Sequence, residues 1–152
     1  MTHTTQHLAA LKPDWSVSGI VEAPVEQVWP LVLESFRTTG MDMNAVENYR
    51  GSQPYITSIG KPGNGKITVE VDKDRHSITA QGEWWYRGAY TVTPHPRGSF
   101  VTYDVYNIAP GIGHWAAQWF QGRENAGKMK GQLQSSLDSI GKRLGCAVSK
   151  VS

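Results

Sequence analysis

The chain has 152 residues, 15 Lys and Arg against 13 Asp and Glu, and a formal net charge of +2 at pH 7. That length suits one domain with a sizeable core, and the near balance of charge, with no Lys/Arg run interleaved with aromatics, speaks against a nucleic-acid partner. A lone cysteine, Cys146, excludes an intrachain disulfide and a cysteine metal cluster. No stretch reaches the ~18 apolar residues that span a bilayer, so a reducing, cytoplasmic setting without integral membrane contact is expected.

Residues 1–14 are polar and read as a flexible tail, 15–146 as the domain and 147–152 as a second, C-terminal tail. Trp15, Val17, Gly19 and Val21 alternate with Ser16, Ser18 and Ile20, the period of a strand with one mainly apolar face. Ala23-Pro24 then opens a helix carrying Val25, Val28, Trp29, Val32 and Phe36 at helical spacing. Pro30 lies inside it and predicts a kink or local 3₁₀ stretch. Met41 to Glu47 predicts a second short helix. From Pro54 to about Asn107 the pattern is that of an antiparallel meander, with a turn at Pro62-Gly63-Asn64-Gly65 and a charged one at Asp72–Arg75. Gly82 and Gly88 predict bulges, and His76 and His95 fall near turns and are expected to face solvent.

The last element has the clearest signature. From Trp115, the positions Trp119, Gly122, Ala126, Met129, Leu133, Leu137, Ile140 and Leu144 fall within roughly 40° of one line at helical spacing. Lys142 and Arg143 suit the negative end of the helix dipole, and Gly145 is a natural stop. One apolar stripe and one apolar sheet face must bury each other. The expected fold is therefore α+β: an antiparallel sheet wrapped round a long C-terminal helix, with two short helices after the first strand.

The stretch from Val17 to Leu31, VSGIVEAPVEQVWPL, resembles the first strand and helix of the START and polyketide-cyclase superfamily (SRPBCC), the helix-grip proteins that include the major birch pollen allergen. The order of the later elements agrees over residues 15 to 145. The resemblance implies a cavity between helix and sheet that admits a lipid, a polyketide or another lipophilic molecule. It is weakly specific for function, because the superfamily holds carriers, receptors, aromatase/cyclases, oxygenase subunits and co-chaperones.

The residues themselves mark where such a cavity would lie. On the helix stripe bulky Trp115 and Trp119 stand beside undersized Gly122 and Ala126, with Met129 next, whereas Leu133, Leu137, Ile140 and Leu144 are regular core fillers. A helix-interior Gly costs about 0.5–1 kcal/mol relative to Ala. Gly122 thus makes room either for a ligand or for a sheet aromatic such as Tyr90 or Tyr103. Trp84, Trp85, Tyr86 and Arg87 gather aromatics round one guanidinium, which either anchors a ligand in the cavity or stacks on a surface Trp. Tyr103 and Asn107 share a strand face with Val101 and Val105 and would bring polar tips to it. His114 stands before the long helix, as acid or base at a pocket mouth or as an exposed cap.

No nucleophile elbow, HExxH, phosphate-binding loop or paired Cys/His spacing occurs in the sequence, and no cofactor is expected. Two functions stay open: a carrier or sensor of a small lipophilic or aromatic molecule, which is favoured, and a cyclase- or dehydratase-like enzyme using the same cavity. The expected oligomeric state is a monomer or weak homodimer.

Overall fold

The structure is a computed structural model and describes residues 13–83, 86–108, 128 and 130–151. Strand β1 (Trp15–Val21) leads into helix α1 (Val25–Glu34), a 3₁₀ turn (Ser35–Thr39) and helix α2 (Met43–Asn48). Strands β2 (Tyr55–Ile59), β3 (Ile67–Asp72), β4 (Ser77–Gln81), β5 (Tyr86–His95) and β6 (Gly98–Asn107) follow. Helix α3 runs through residues 130–144, and β7 (Val148–Val151) comes after it. All pairings are antiparallel, in one seven-stranded sheet of order β2-β3-β4-β5-β6-β1-β7.

Alternation along β6 divides the sheet into two faces. Ser99, Val101, Tyr103, Val105 and Asn107 are buried, while Thr102, Asp104 and Tyr106 between them are only partly so. The buried set faces α3. A Cβ added to Gly19 would stand 2.2 Å from Leu137 Cδ1, so this glycine lets helix and sheet approach where a side chain would hold them apart. Leu133, Leu137 and Ile140 of α3 and Val28, Trp29 and Val32 of α1 close the same core over Val69, Val71, Ile78 and Val92.

Several local expectations are met and others are corrected. α2 begins where its cap allows, with Asp42 accepting a hydrogen bond from the Ala45 N–H at 3.1 Å. Helix α1 continues through Pro30 to Glu34, and the 3₁₀ stretch follows it at Ser35–Thr39 instead of forming at the proline. At Gly88 there is no bulge: the β5–β6 register is continuous from Tyr86↔Asn107 to His95↔Gly98. His76 does not simply face water. It sits at φ 52° in the β3–β4 turn with its ring 5.6 Å from Trp29. The residues expected as a C-terminal tail instead form β7, which covers the edge of β1 from Ser18↔Val151 to Val21↔Val148.

Candidate functional site

On the inner face three tyrosines meet. Tyr90 of β5 is directly opposite Tyr103 of β6, and their rings stack 4.3 Å apart at 4°, a cross-strand aromatic pair. Phe36, from the 3₁₀ turn, meets Tyr90 edge-on at 5.8 Å. Tyr86, four residues before Tyr90 and on the same face, reaches across so that its hydroxyl lies 2.5 Å from that of Tyr103. Gly88 makes this possible, because a Cβ there would fall 2.2 Å from the Tyr86 hydroxyl and 3.0 Å from Tyr103 Cε1. The Tyr86 ring lies over the one position between the two tyrosines of β5 that has no side chain.

Burial controls the chemistry of this cluster. Loss of water pushes the phenol of Tyr86 well above its ordinary range, with the neighbouring Tyr103 adding to the effect. Tyr90 is raised by burial and then by Tyr103. Tyr103, only 3% exposed, is raised by burial although its hydrogen bond with Tyr86 acts the other way. All three are neutral at physiological pH, hydrogen-bond donors and acceptors rather than bases.

Beside Tyr90 the inner face opens into a cleft of about 340 Å³ between α1 and α3. Its floor is Tyr90 and Val101, and its apolar walls are Leu31 and Val32 on one side and Leu133, Leu137 and Ile140 on the other. Hydroxyls of Ser135, Ser136 and Ser139 line α3. At the mouth Glu34 of α1 and Arg143 of α3 are 3.4 Å apart, with side chains 38% and 55% exposed. The cleft thus lies against the described part of α3, whose Leu133, Leu137 and Ile140 are expected from sequence to be core fillers. Spacing alone did not show that α1 stands off from α3 there.

The expected site residues divide into three groups. Tyr86, Tyr90, Val101, Tyr103 and Asn107 share the inner face, as alternation required. Arg87 does not join them. Neighbours on a strand point to opposite faces, and Arg87 pairs with Tyr106 on the outer one. There it is 6% exposed, donates to Gln81 Oε1 at 2.7 Å and lies 3.6 Å from Glu70 Oε2. Burial lowers its pKa, while Glu70 acts to hold the charge. Arg87 therefore belongs to an outer ion pair and anchors nothing in the cleft. Trp84, His114, Trp115, Trp119, Gly122, Ala126 and Met129 lie outside the described residues.

A larger groove of about 540 Å³ runs between residues 49–54 and 70–75, where charged residues such as Arg50, Asp72, Lys73 and Asp74 stand among apolar ones. Arg50 and Lys73 both donate to the carbonyls of Glu47 and Tyr49 at the C-terminal end of α2, so these cations are committed to the fold. Among the described residues no group of three or more His, Cys, Asp or Glu is placed to hold a metal ion. None of the described helices is long and apolar enough to cross a membrane.

No family model and no curated protein matches the sequence. Solved structures do resemble it. Protein MLL2253 from Mesorhizobium loti is 13% identical with a TM-score of 0.50, the match covering 85% of this chain and 96% of that one. TTHA0849 from Thermus thermophilus is 16% identical, TM-score 0.49, covering 83% and 97%. The Zhui aromatase/cyclase from Streptomyces sp. R1128 is 13% identical, TM-score 0.49, covering 86% and 95%. Such likeness concerns fold alone. The antiparallel strand order, with a C-terminal helix seated on the inner face, is that of a helix-grip fold, and the likeness to MLL2253 agrees with it.

Proposed function

We propose that the protein binds a small lipophilic or aromatic molecule in the cleft between α1, α3 and the sheet, as a carrier or sensor. The observation that carries this reading is a cleft of about 340 Å³, lined largely by apolar residues, beside a stacked tyrosine pair. That volume is at the small end of ligand pockets, roughly 300–1,000 Å³. A flat bicyclic ligand burying about 200 Å² gains roughly 5 kcal/mol at about 25 cal/mol per Å², before association costs. Tyr90 offers a face for stacking, and the serines offer a few hydrogen bonds for orientation.

The test is titration with N-phenyl-1-naphthylamine, an uncharged fluorescent probe, beside native mass spectrometry of freshly purified protein. Saturable binding by the parent and its loss in Ser136→Trp, which fills the cleft from its rim, supports the reading. A parent that never saturates with the probe and carries no co-purified molecule would sink it.

A second reading, a cyclase- or dehydratase-like enzyme, draws on the Tyr86–Tyr103 pair. Phenols held neutral by burial can donate to a carbonyl oxygen and polarise it for enolisation. Under that reading Tyr103→Phe keeps probe binding and loses turnover of a polyketide-like carbonyl substrate. Equal turnover by parent and variant would remove the tyrosine from the chemistry.

A further inference from the structure

The mouth of the cleft carries a specific pattern of charge. Among the described residues that line it, Glu34 and Arg143 are the charged ones, one on each helix and 3.4 Å apart. They cancel. The remaining polar groups at the rim are hydroxyls, which both donate and accept. A site made for a carboxylate would present a cation without a partner, and a site made for an amine would present a bare carboxylate. Here an ionic ligand must strip one partner from the pair and leave the other facing the ligand's apolar body. A neutral hydroxyl or carbonyl can instead use Ser135, Ser136 or Ser139 and leave the ion pair closed.

We infer that the Glu34–Arg143 pair is a charge filter that restricts the cleft to uncharged, hydroxyl- or carbonyl-bearing lipophilic molecules. The inference rests on the binding reading above and adds the class of ligand. Each partner is a specificity-determining residue: Glu34 rejects anions because it occupies Arg143, and Arg143 rejects cations because it occupies Glu34. Both side chains are well exposed, and such pairs contribute little to stability, so either can be neutralised without threatening the fold.

Three probes with one apolar body separate the possibilities: 2-naphthol, 2-naphthoate and 2-naphthylmethylammonium, titrated calorimetrically at pH 7 and low salt. The parent is expected to bind 2-naphthol at least tenfold tighter than either ion. Glu34→Gln releases Arg143 and should improve 2-naphthoate about tenfold without helping the ammonium. Arg143→Gln should do the reverse, each change being read as the ratio of ion to 2-naphthol affinity within the same variant. A neutral preference alone could reflect the ease of desolvating an uncharged group, so the reciprocal switch is the deciding result. If all three probes bind the parent equally, or if neither variant changes its ion, the filter is wrong while the cleft remains a binding site. If 2-naphthol binds neither the parent nor the variants, both the filter and the binding reading fall.

Discussion

Placing a methyl group on Gly88 tests whether the tyrosine cluster is built around that bare position. The added carbon would lie 2.2 Å from the Tyr86 hydroxyl, 2.7 Å from Tyr86 Cζ and 3.0 Å from Tyr103 Cε1. The Tyr86 ring can move more readily than the strand, so in Gly88→Ala it must swing off β5 and lose its bond to Tyr103. A hydrogen bond of this kind contributes about 1 kcal/mol net, and overpacking costs about 1–3 kcal/mol. Against this, Ala in a strand regains roughly 0.5–1 kcal/mol over Gly. The net expectation is a loss of about 1–3.5 kcal/mol, or some 2–14 °C in melting temperature at about 2–4 °C per kcal/mol. Thermal melts measure the first quantity, and ultraviolet titration of the phenols should show Tyr86 ionising at lower pH once it meets water. In a Tyr86→Ala background the same glycine substitution should be neutral or stabilising. If Gly88→Ala alone were as stable as the parent, with an unchanged phenol titration, the stacked-over-glycine account would be refuted.

Leu137 is 1% exposed and stands against Gly19, so Leu137→Ala should cost about 2–5 kcal/mol in urea unfolding; a change under about 1 kcal/mol would mean that α3 is not seated there. Folded-state phenol pKa values raised above the unfolded value near 10 mean that the native state holds protons which the unfolded chain releases. Stability from this source is whole below about pH 10 and falls as pH rises further, and melts from about pH 8 to 11 should show a decline that Tyr86→Phe makes shallower. On the outer face, Arg87→Met removes the cation 3.6 Å from a Glu70 side chain only 13% exposed and should cost about 1–3 kcal/mol, partly recovered by adding Glu70→Gln; an Arg87→Met variant of parental stability would show the pair to be dispensable.

How far the sequence could be read depended on how many residues carried each signal. Leu133, Leu137, Ile140 and Leu144 repeat over several turns, and Val101, Tyr103, Val105 and Asn107 over a whole strand, so helix face and strand face were both legible. The Tyr86-Arg87 step misleads for a geometric reason: residues adjacent in a strand are sent to opposite sides of the sheet, so closeness in the chain is not closeness in space. β7 was missed because Val148-Ser149-Lys150-Val151 is too short to show a period, and its place is fixed by the ladder to β1. Gly88 looked like a bulge because a strand glycine has two common meanings, and only the approach of Tyr86 distinguishes close contact from irregular pairing. The Glu34–Arg143 pair joins residues 109 apart, and nothing local to either helix announces the other.

The position of β1 in the sheet also bears on how the chain reaches this state. β1 lies between β6 and β7, and its side-chain bonds reach Asp104, 88 residues on, and Val151, 133 residues on. Strands β2 to β6 pair successively with near neighbours, which costs little loop entropy, whereas docking β1 closes two very long loops. The meander should therefore form early and recruit β1 late, with α3 brought onto the inner face at about the same time. In pulsed hydrogen exchange during refolding, amides of β4 and β5 should gain protection before those of β1; simultaneous protection would instead point to a single concerted collapse. Until β1 docks, the inner side of β6 stays exposed along one edge, so the slow step is also the interval in which the chain is most open to association with other copies.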